Sequence, residues 1–214
     1  LIPIVIFFII KGSVYFTVFL IILFLATSYE WVKMSKKNNL LKFLGMVFLL
    51  FSFYATFKFR NENNFEDFLL IIIICIFTDI GGYIFGKLFK GPKLTKISPN
   101  KTYSGMFGGY FLSIIFMFLY FTNLELLFDY ANIEVTGNEI TLNNFIFIIA
   151  ISTASQLGDI FVSYFKRLSK IKNTGNIFPG HGGLLDRIDG MIFAFPFIFL
   201  VSKILLWKKR LLYL

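Results

Sequence analysis

Apolar runs such as "FLLIIIICIF" and "FAFPFIFLVSKILLW" recur along the chain, and they constrain its fold more than any other feature. A run of about 20 apolar residues is long enough to cross a bilayer as a helix. A water-soluble core has no use for so many of them. A membrane β-barrel would alternate apolar and polar residues, and these runs do not. The chain is therefore expected to be an all-α, polytopic integral membrane bundle of about seven spans. A short first helix is placed over 1–10. Spans are placed near 13–32, 40–58, 66–86, 105–122, 142–166 and 190–207. Residues 1–64 read as N-terminal membrane helices and 65–214 as the catalytic membrane region. The first residue is Leu1 and the first run is short, which suggests an incomplete N-terminus. That run has neither a basic leader nor a small-residue cleavage site, so it is not read as a signal peptide.

The charges are uneven. Of 21 Lys and Arg against 12 Asp and Glu, most cations fall in three loops. Lys33, Lys36, Lys37 and Lys42 lie in the first, and Lys87, Lys90, Lys93, Lys96 and Lys101 in the second. Lys166, Arg167, Lys170, Lys172 and Arg187 lie in the third. The loop 123–141 carries Glu125, Asp129, Glu134 and Glu139 and no Lys or Arg. Basic loops stay on the cytoplasmic side, so all three are placed there. The net charge of +9 is thus a sidedness signal. No soluble basic domain exists to bind nucleic acid, whereas anionic lipid heads are natural neighbours for these cations. Lys208, Lys209 and Arg210 conflict with this scheme, because they would face outward after the last span. Phe is abundant at 31 residues, which is read as biased composition rather than a ligand-binding stack. The single Cys75 lies in an apolar run, where it is read as packing, and one cysteine cannot form a disulfide within the chain.

Charges inside a membrane helix are costly and point to function. In the sixth run Ser152, Ser155, Gln156, Asp159, Ser163 and Lys166 follow helical spacing and share one face. That stripe must face protein or a wet cavity rather than lipid. A helix contact glued by hydroxyls and amides accounts for the serines, but not for Asp159. A smaller set, Asp79, Gly82, Tyr83 and Gly86, shares a face of an earlier run, where its glycines admit either a helix or a ligand.

The stretch "KRLSKIKNTGNIFPGHGGLLDRID" concentrates the remaining chemistry. Lys166, Arg167, Lys170 and Lys172 offer phosphate-neutralising charge. Gly180, Gly182 and Gly183 let backbone N–H groups approach an anion. Asp186 and Asp189, spaced i, i+3, face one way on a helix. With Asp159 they have the chemistry to hold a hard cation such as Mg²⁺, which takes a few carboxylates plus substrate phosphates. His181 has no second His or Cys partner, so it is read as organising the loop rather than binding metal. Upstream, "ISPNKTYSGMFGG" mixes Ser98, Lys101 and Thr102 with glycines before a helix. A helix N-terminus with lysines nearby suits phosphate, as does a plain capped turn, and Walker A spacing is absent. The sum is a site at the lipid surface suited to a phosphate-bearing lipid and a nucleotide.

The C-terminal stretch "SYFKRLSKIKNTGNIFPGHGGLLDRID" resembles the signature of the phosphatidate cytidylyltransferase (CDP-diacylglycerol synthase) family. "TDIGGYIFGK", "SPNKTYSGMFGG" and "SQLGDIF" are similar to the family's upstream blocks, in the same order. The resemblance covers the chain from about Thr78 onward. It implies a Mg²⁺-dependent nucleotidyltransferase that joins CTP and phosphatidate into CDP-diacylglycerol and pyrophosphate, with a second cation as an option. It implies Asp159, Lys166, Arg167, Asp186 and Asp189 as the catalytic set, with Asp159, Asp186 and Asp189 as metal ligands. Ser98, Lys101, Thr102, Lys172, Gly180, His181, Gly182, Gly183 and Arg187 would bind substrate. Three positions depart from the family: Val162 and Ser104 replace the usual acids, and Asn173 replaces an Asp. The expected location is a bacterial inner membrane with the site facing the cytoplasm. The expected partners are CTP, phosphatidate and membrane lipids, not nucleic acid, and a homodimer stays open. Two rival readings also stay open: a related CTP-dependent polyprenol kinase, and a lipid-binding or transport protein with a decayed site.

Overall fold

The computed structural model describes residues 2–36, 38–95, 98, 100–130, 142–175, 177 and 182–211. Its elements are α1 (Ile2–Lys11), α2 (Ser13–Met34), α3 (Asn39–Glu62), α4 (Phe65–Phe89), α5 (Tyr103–Tyr130), α6 (Leu142–Leu168), α7 (Leu185–Ile188) and α8 (Met191–Leu211). The described residues hold no β-strand, and one isolated antiparallel bridge joins Lys93 to Thr102. The all-helical expectation therefore stands. Among the described residues five helices are long and apolar enough to cross a membrane: α2, α3, α4, the Tyr103–Tyr120 part of α5, and α6. The other two expected crossings are shorter among the described residues. α1 has 10 residues, about 15 Å at 1.5 Å per residue, against a hydrocarbon core of about 30 Å. The apolar part of α8 is Met191–Ile204, and Pro196 lies inside that helix.

Two compact units are present. One comprises residues 1–72 and 157–214, the other residues 73–156. Both α4 and α6 contribute a segment to each.

In the first unit α3 packs against α2 and α8. Ser52 Oγ donates to the Ile192 carbonyl at 2.7 Å, tying α3 to the start of α8. Gly12, at φ 59°, breaks the chain between α1 and α2, and Arg60 donates to the Ile9 carbonyl beside that break. Asn38 caps α3 by accepting from the Leu41 N–H at 3.0 Å, a preferred residue and bond for a helix start. The core gathers Trp31, Met34, Leu49, Val162, Leu185 and Ile192. Val162 is 1% exposed within it. An acid at that position would lie among apolar side chains, which gives its replacement a packing reason.

In the second unit α4 and α5 approach through small residues. A Cβ added at Gly81 would lie 2.3 Å from the Gly108 carbonyl oxygen, and one at Gly105 would lie 2.7 Å from the Gly82 carbonyl oxygen. The glycine face of α4 thus meets a helix, the first of its two sequence readings. A polar seam runs beside it. Thr78 Oγ1 lies 2.9 Å from Ser113 Oγ and donates to Ser152 Oγ at 2.8 Å, and Gln156 Nε2 reaches the Met106 carbonyl at 3.4 Å. These bonds satisfy hydroxyls that lipid would leave unpaired.

Candidate functional site

The sixth-run stripe divides between the two units. Ser152 and Gln156 serve the helix seam of the second unit, as the packing reading of the serines anticipates. Asp159, Ser163 and Lys166 lie at i, i+4 and i+7 on the part of α6 that belongs to the first unit.

α6 ends in a turn that sets the direction of the chain toward α7. Lys170 adopts φ 56°. The Ile171 N–H donates to the Lys166 carbonyl at 2.9 Å, the 6→1 bond of a Schellman end. A non-glycine residue in that conformation costs about 1 kcal/mol, and here it turns the chain back along α6. Lys166 Nζ then meets Asp186 Oδ1 at 2.7 Å, with side chains only 12% and 11% exposed. The other oxygen of Asp186 accepts from the N–H of Thr174 at 2.9 Å, the N–H of Gly183 at 3.0 Å and the Thr174 hydroxyl at 3.1 Å. Burial pushes the Asp186 carboxyl up. The Lys166, Gly183 and Thr174 hydrogen bonds and the Lys166 charge outweigh it and hold the carboxyl below its ordinary value.

Beneath this pair lies a carboxylate that sequence reasoning missed. Glu30 of α2 is 1% exposed. Its Oε1 accepts from the Leu184 N–H at 2.9 Å, and its Oε2 from the Leu185 N–H at 2.8 Å and the Thr174 hydroxyl at 2.9 Å. Glu30 therefore caps the start of α7 from another helix. Gly183 makes room for it, since a Cβ there would lie 2.3 Å from Thr174 Oγ1 and 2.5 Å from Glu30 Oε2. Gly182, at φ 87°, supplies the left-handed turn before it. The signal is present in the sequence: "ATSYEWV" sets one carboxylate within an apolar run, the pattern that marks function in a membrane helix.

Asp159 accepts from Ser163 Oγ at 3.4 Å. Asp189 is 7% exposed and its Oδ1 accepts from the Gly190 N–H at 3.0 Å. Gly158 brings their segments together, because a Cβ there would lie 2.5 Å from the Asp189 carbonyl oxygen. The expected grouping of Asp159, Asp186 and Asp189 around one cation is not formed. Among the described residues no three His, Cys, Asp or Glu side chains gather in that way. The reason is geometric. Asp186 is engaged by Lys166, seven residues beyond Asp159 on α6 and so about 10 Å along the helix, while Asp189 lies against Gly158. This donor set does not make a preformed cage. It fits a cation that arrives on substrate phosphates and takes one or two carboxylates.

Arg167, Lys172 and Arg187 are exposed. Gly180 and His181 lie outside the described residues. Ser98, Lys101 and Thr102 belong to the second unit. There the Leu94 N–H donates to the Lys101 carbonyl at 2.7 Å, and the Lys101 N–H donates to the Ser98 carbonyl at 3.0 Å. Thr102 Oγ1 accepts from the Gly105 N–H at 3.1 Å, capping α5, and Ser104 donates to the Lys90 carbonyl. These are the bonds of the capped turn that the sequence allowed.

The model of the cytidylyltransferase family matches residues 39–205, most of the chain, with the Lys166–Asp186 pair and its loop inside the match. The chain belongs to the cytidylyltransferase family. It is 33% identical over 195 residues to a phosphatidate cytidylyltransferase of Rickettsia bellii, an alignment covering 89% of this chain and 81% of that one. It is 35% identical over 189 residues to one from Haemophilus influenzae, covering 82% and 62%. It is 36% identical over 159 residues to one from Staphylococcus haemolyticus, covering 73% and 54%. The chain thus spans less than two thirds of the length of the latter two.

Proposed function

We propose that this chain joins CTP and phosphatidate to give CDP-diacylglycerol and pyrophosphate. The observation that carries the reading is the Lys166–Asp186 pair, fixed at 2.7 Å over a carboxylate-held glycine loop inside the family-matched segment. The names of the relatives support the substrates.

In the proposed reaction a phosphate oxygen of phosphatidate attacks the α-phosphorus of CTP. The new P–O bond forms as the bond from the α-phosphorus to the bridging oxygen breaks, and pyrophosphate leaves with that electron pair. The nucleophile is ionised at neutral pH, so no general base is required. What the chain must supply is in-line positioning and charge neutralisation. Lys166 has N–H donors beyond the one given to Asp186, and the Asp186 bond aims them. Arg167 and Lys172, both exposed, would add charge for the phosphates. Asp159 and Asp189 would hold Mg²⁺, which when bound neutralises charge on the reacting and leaving phosphates.

The same reading places the three basic loops and the site on the cytoplasmic side of a bacterial inner membrane. Membranes holding the protein, given labelled CTP, phosphatidate and Mg²⁺, should yield CDP-diacylglycerol and pyrophosphate. Asp159→Ala or Asp186→Ala should abolish product, and EDTA should do so reversibly. Well-folded wild-type protein that makes no product under these conditions overturns the reading, and release of CDP instead of pyrophosphate redirects it to a kinase.

A further inference from the structure

Between the end of α2 and the turn after α6 lies a cavity of about 270 Å³. Lys33 and Lys36 line it from α2 and the turn after it, and Asn173, Thr174 and Gly175 line it from the opposite chain segment. Met34 and Ile171 give it an apolar part. Among the described residues its titratable lining groups are the two lysines, because Asn173 is neutral. Two carboxylates lie behind Thr174 and Gly175, and both are already hydrogen-bonded. Glu30 is engaged by Leu184, Leu185 and Thr174, and Asp186 by Lys166, Gly183 and Thr174.

A basic residue in the last turn of a helix is commonplace, since it answers the helix dipole. The dipole does not account for a half-open space that Lys33 of the last turn and Lys36 beyond it share with the loop of the candidate site. The volume corresponds to about nine waters at roughly 30 Å³ each. It falls just below the range of about 300–1,000 Å³ typical of whole-ligand pockets. That is room for a phosphate group with some of its hydration. Thr174 joins the cavity wall to the Lys166–Asp186 pair, so a phosphate there would adjoin the reacting groups.

We infer that this cavity is a phosphate subsite, in which Lys33 and Lys36 hold a phosphate group of a substrate. The inference deepens the proposed function and rests on it for the identity of the substrates. The shared chemistry is a phosphate dianion, carried by a lipid headgroup or by the nucleotide.

The test uses the full chain in phosphatidylcholine nanodiscs, titrated separately with dihexanoyl phosphatidate and with CTP plus Mg²⁺. Lys33→Ala/Lys36→Ala is compared with Lys11→Ala/Lys42→Ala, which removes the same charge from residues outside the cavity. The first variant should bind at least one probe about five- to tenfold more weakly, as expected for two partly exposed charge contacts. The control should stay within twofold. A shift confined to phosphatidate assigns the lipid headgroup, and a shift confined to CTP assigns the nucleotide. A shift in both keeps the subsite as a shared phosphate contact. Unchanged binding of both probes, an equal loss in the control, or a wild type that binds neither probe overturns the inference. Turnover in the same discs separates the two claims. Product formation without lysine dependence removes only the subsite, and lysine-dependent binding without product removes only the catalytic reading.

Discussion

Replacing Glu30 with alanine should loosen the loop before α7 while leaving the long helices in place. Glu30 is 1% exposed and accepts three hydrogen bonds, from Leu184, Leu185 and Thr174. The Thr174 hydroxyl has a second acceptor in Asp186 at 3.1 Å, so Glu30→Ala orphans chiefly two backbone N–H groups. A buried donor left unsatisfied costs about 1–3 kcal/mol. Two give about 2–6 kcal/mol, and water entering the space of the lost side chain draws the figure toward about 3 kcal/mol. At 1.4 kcal/mol per factor of ten, local protection against amide exchange should fall about 100-fold. Hydrogen exchange by mass spectrometry in nanodiscs reads this directly in peptides that contain Leu184 and Leu185. Glu30→Gln keeps one acceptor oxygen and should lose about tenfold. Unchanged exchange at these amides in a folded Glu30→Ala protein would refute the reasoning. So would a rise of equal size in α3 and α8, because the effect would then be global.

Lys166→Met leaves Asp186 buried without its cation, and breaking such a pair costs about 3–5 kcal/mol. Thermal unfolding in detergent should show Lys166→Met more harmful than Lys166→Met/Asp186→Asn, with a non-additive double-mutant cycle. Asp186 also predicts an acid limit. Its folded carboxyl is held below its ordinary value, so its stabilisation is full above the unfolded value of about 3.9 and is lost as pH falls through the lower folded value. Loop exchange should therefore rise only below about pH 4 in wild type, and Asp186→Asn should lack that step. Gly183→Ala forces a Cβ to within 2.3 Å of Thr174 Oγ1; turnover should fall at least tenfold while circular dichroism stays unchanged. In the second unit, Gly108→Ala sets a Cβ 2.2 Å from that of Phe85, and the thermal midpoint should drop, since overpacking costs about 1–3 kcal/mol.

Hydropathy locates the long helices because the bilayer imposes one length and one chemistry on them. The expected spans 40–58, 66–86 and 142–166 fall inside Asn39–Glu62, Phe65–Phe89 and Leu142–Leu168. Each helix outruns its apolar run, since backbone bonds continue through polar residues such as Arg60 and Lys87 that hydropathy reads as loop. Crossing number is less legible, because a short apolar segment such as Met191–Ile204 satisfies composition without length. In the site, Lys166 and Asp186 are both legible as charges, but not as a pair, because the distance between them depends on the left-handed turn at Lys170. Glu30 is visible as a charge in an apolar run, but its role is not, because its partners lie about 150 residues later.

The glycines are where sequence and structure part most instructively. Read alone, Gly182 and Gly183 offer N–H groups to a substrate phosphate. In the fold the Gly183 N–H is given to Asp186, and the next two N–H groups are given to Glu30. A described loop that spends these donors on its own carboxylates is preorganised rather than open to phosphate. On the proposed reading, neutralising phosphate charge would then fall to side-chain cations, with Lys166 held by Asp186 and Lys33 and Lys36 lining the cavity at Thr174. The division has a physical logic. Buried carboxylates bound to N–H groups fix the backbone at low local dielectric, where such bonds are strong. Hydrated ammonium groups on flexible stems remain able to follow a substrate whose charge moves from one phosphate to another as the bond is exchanged.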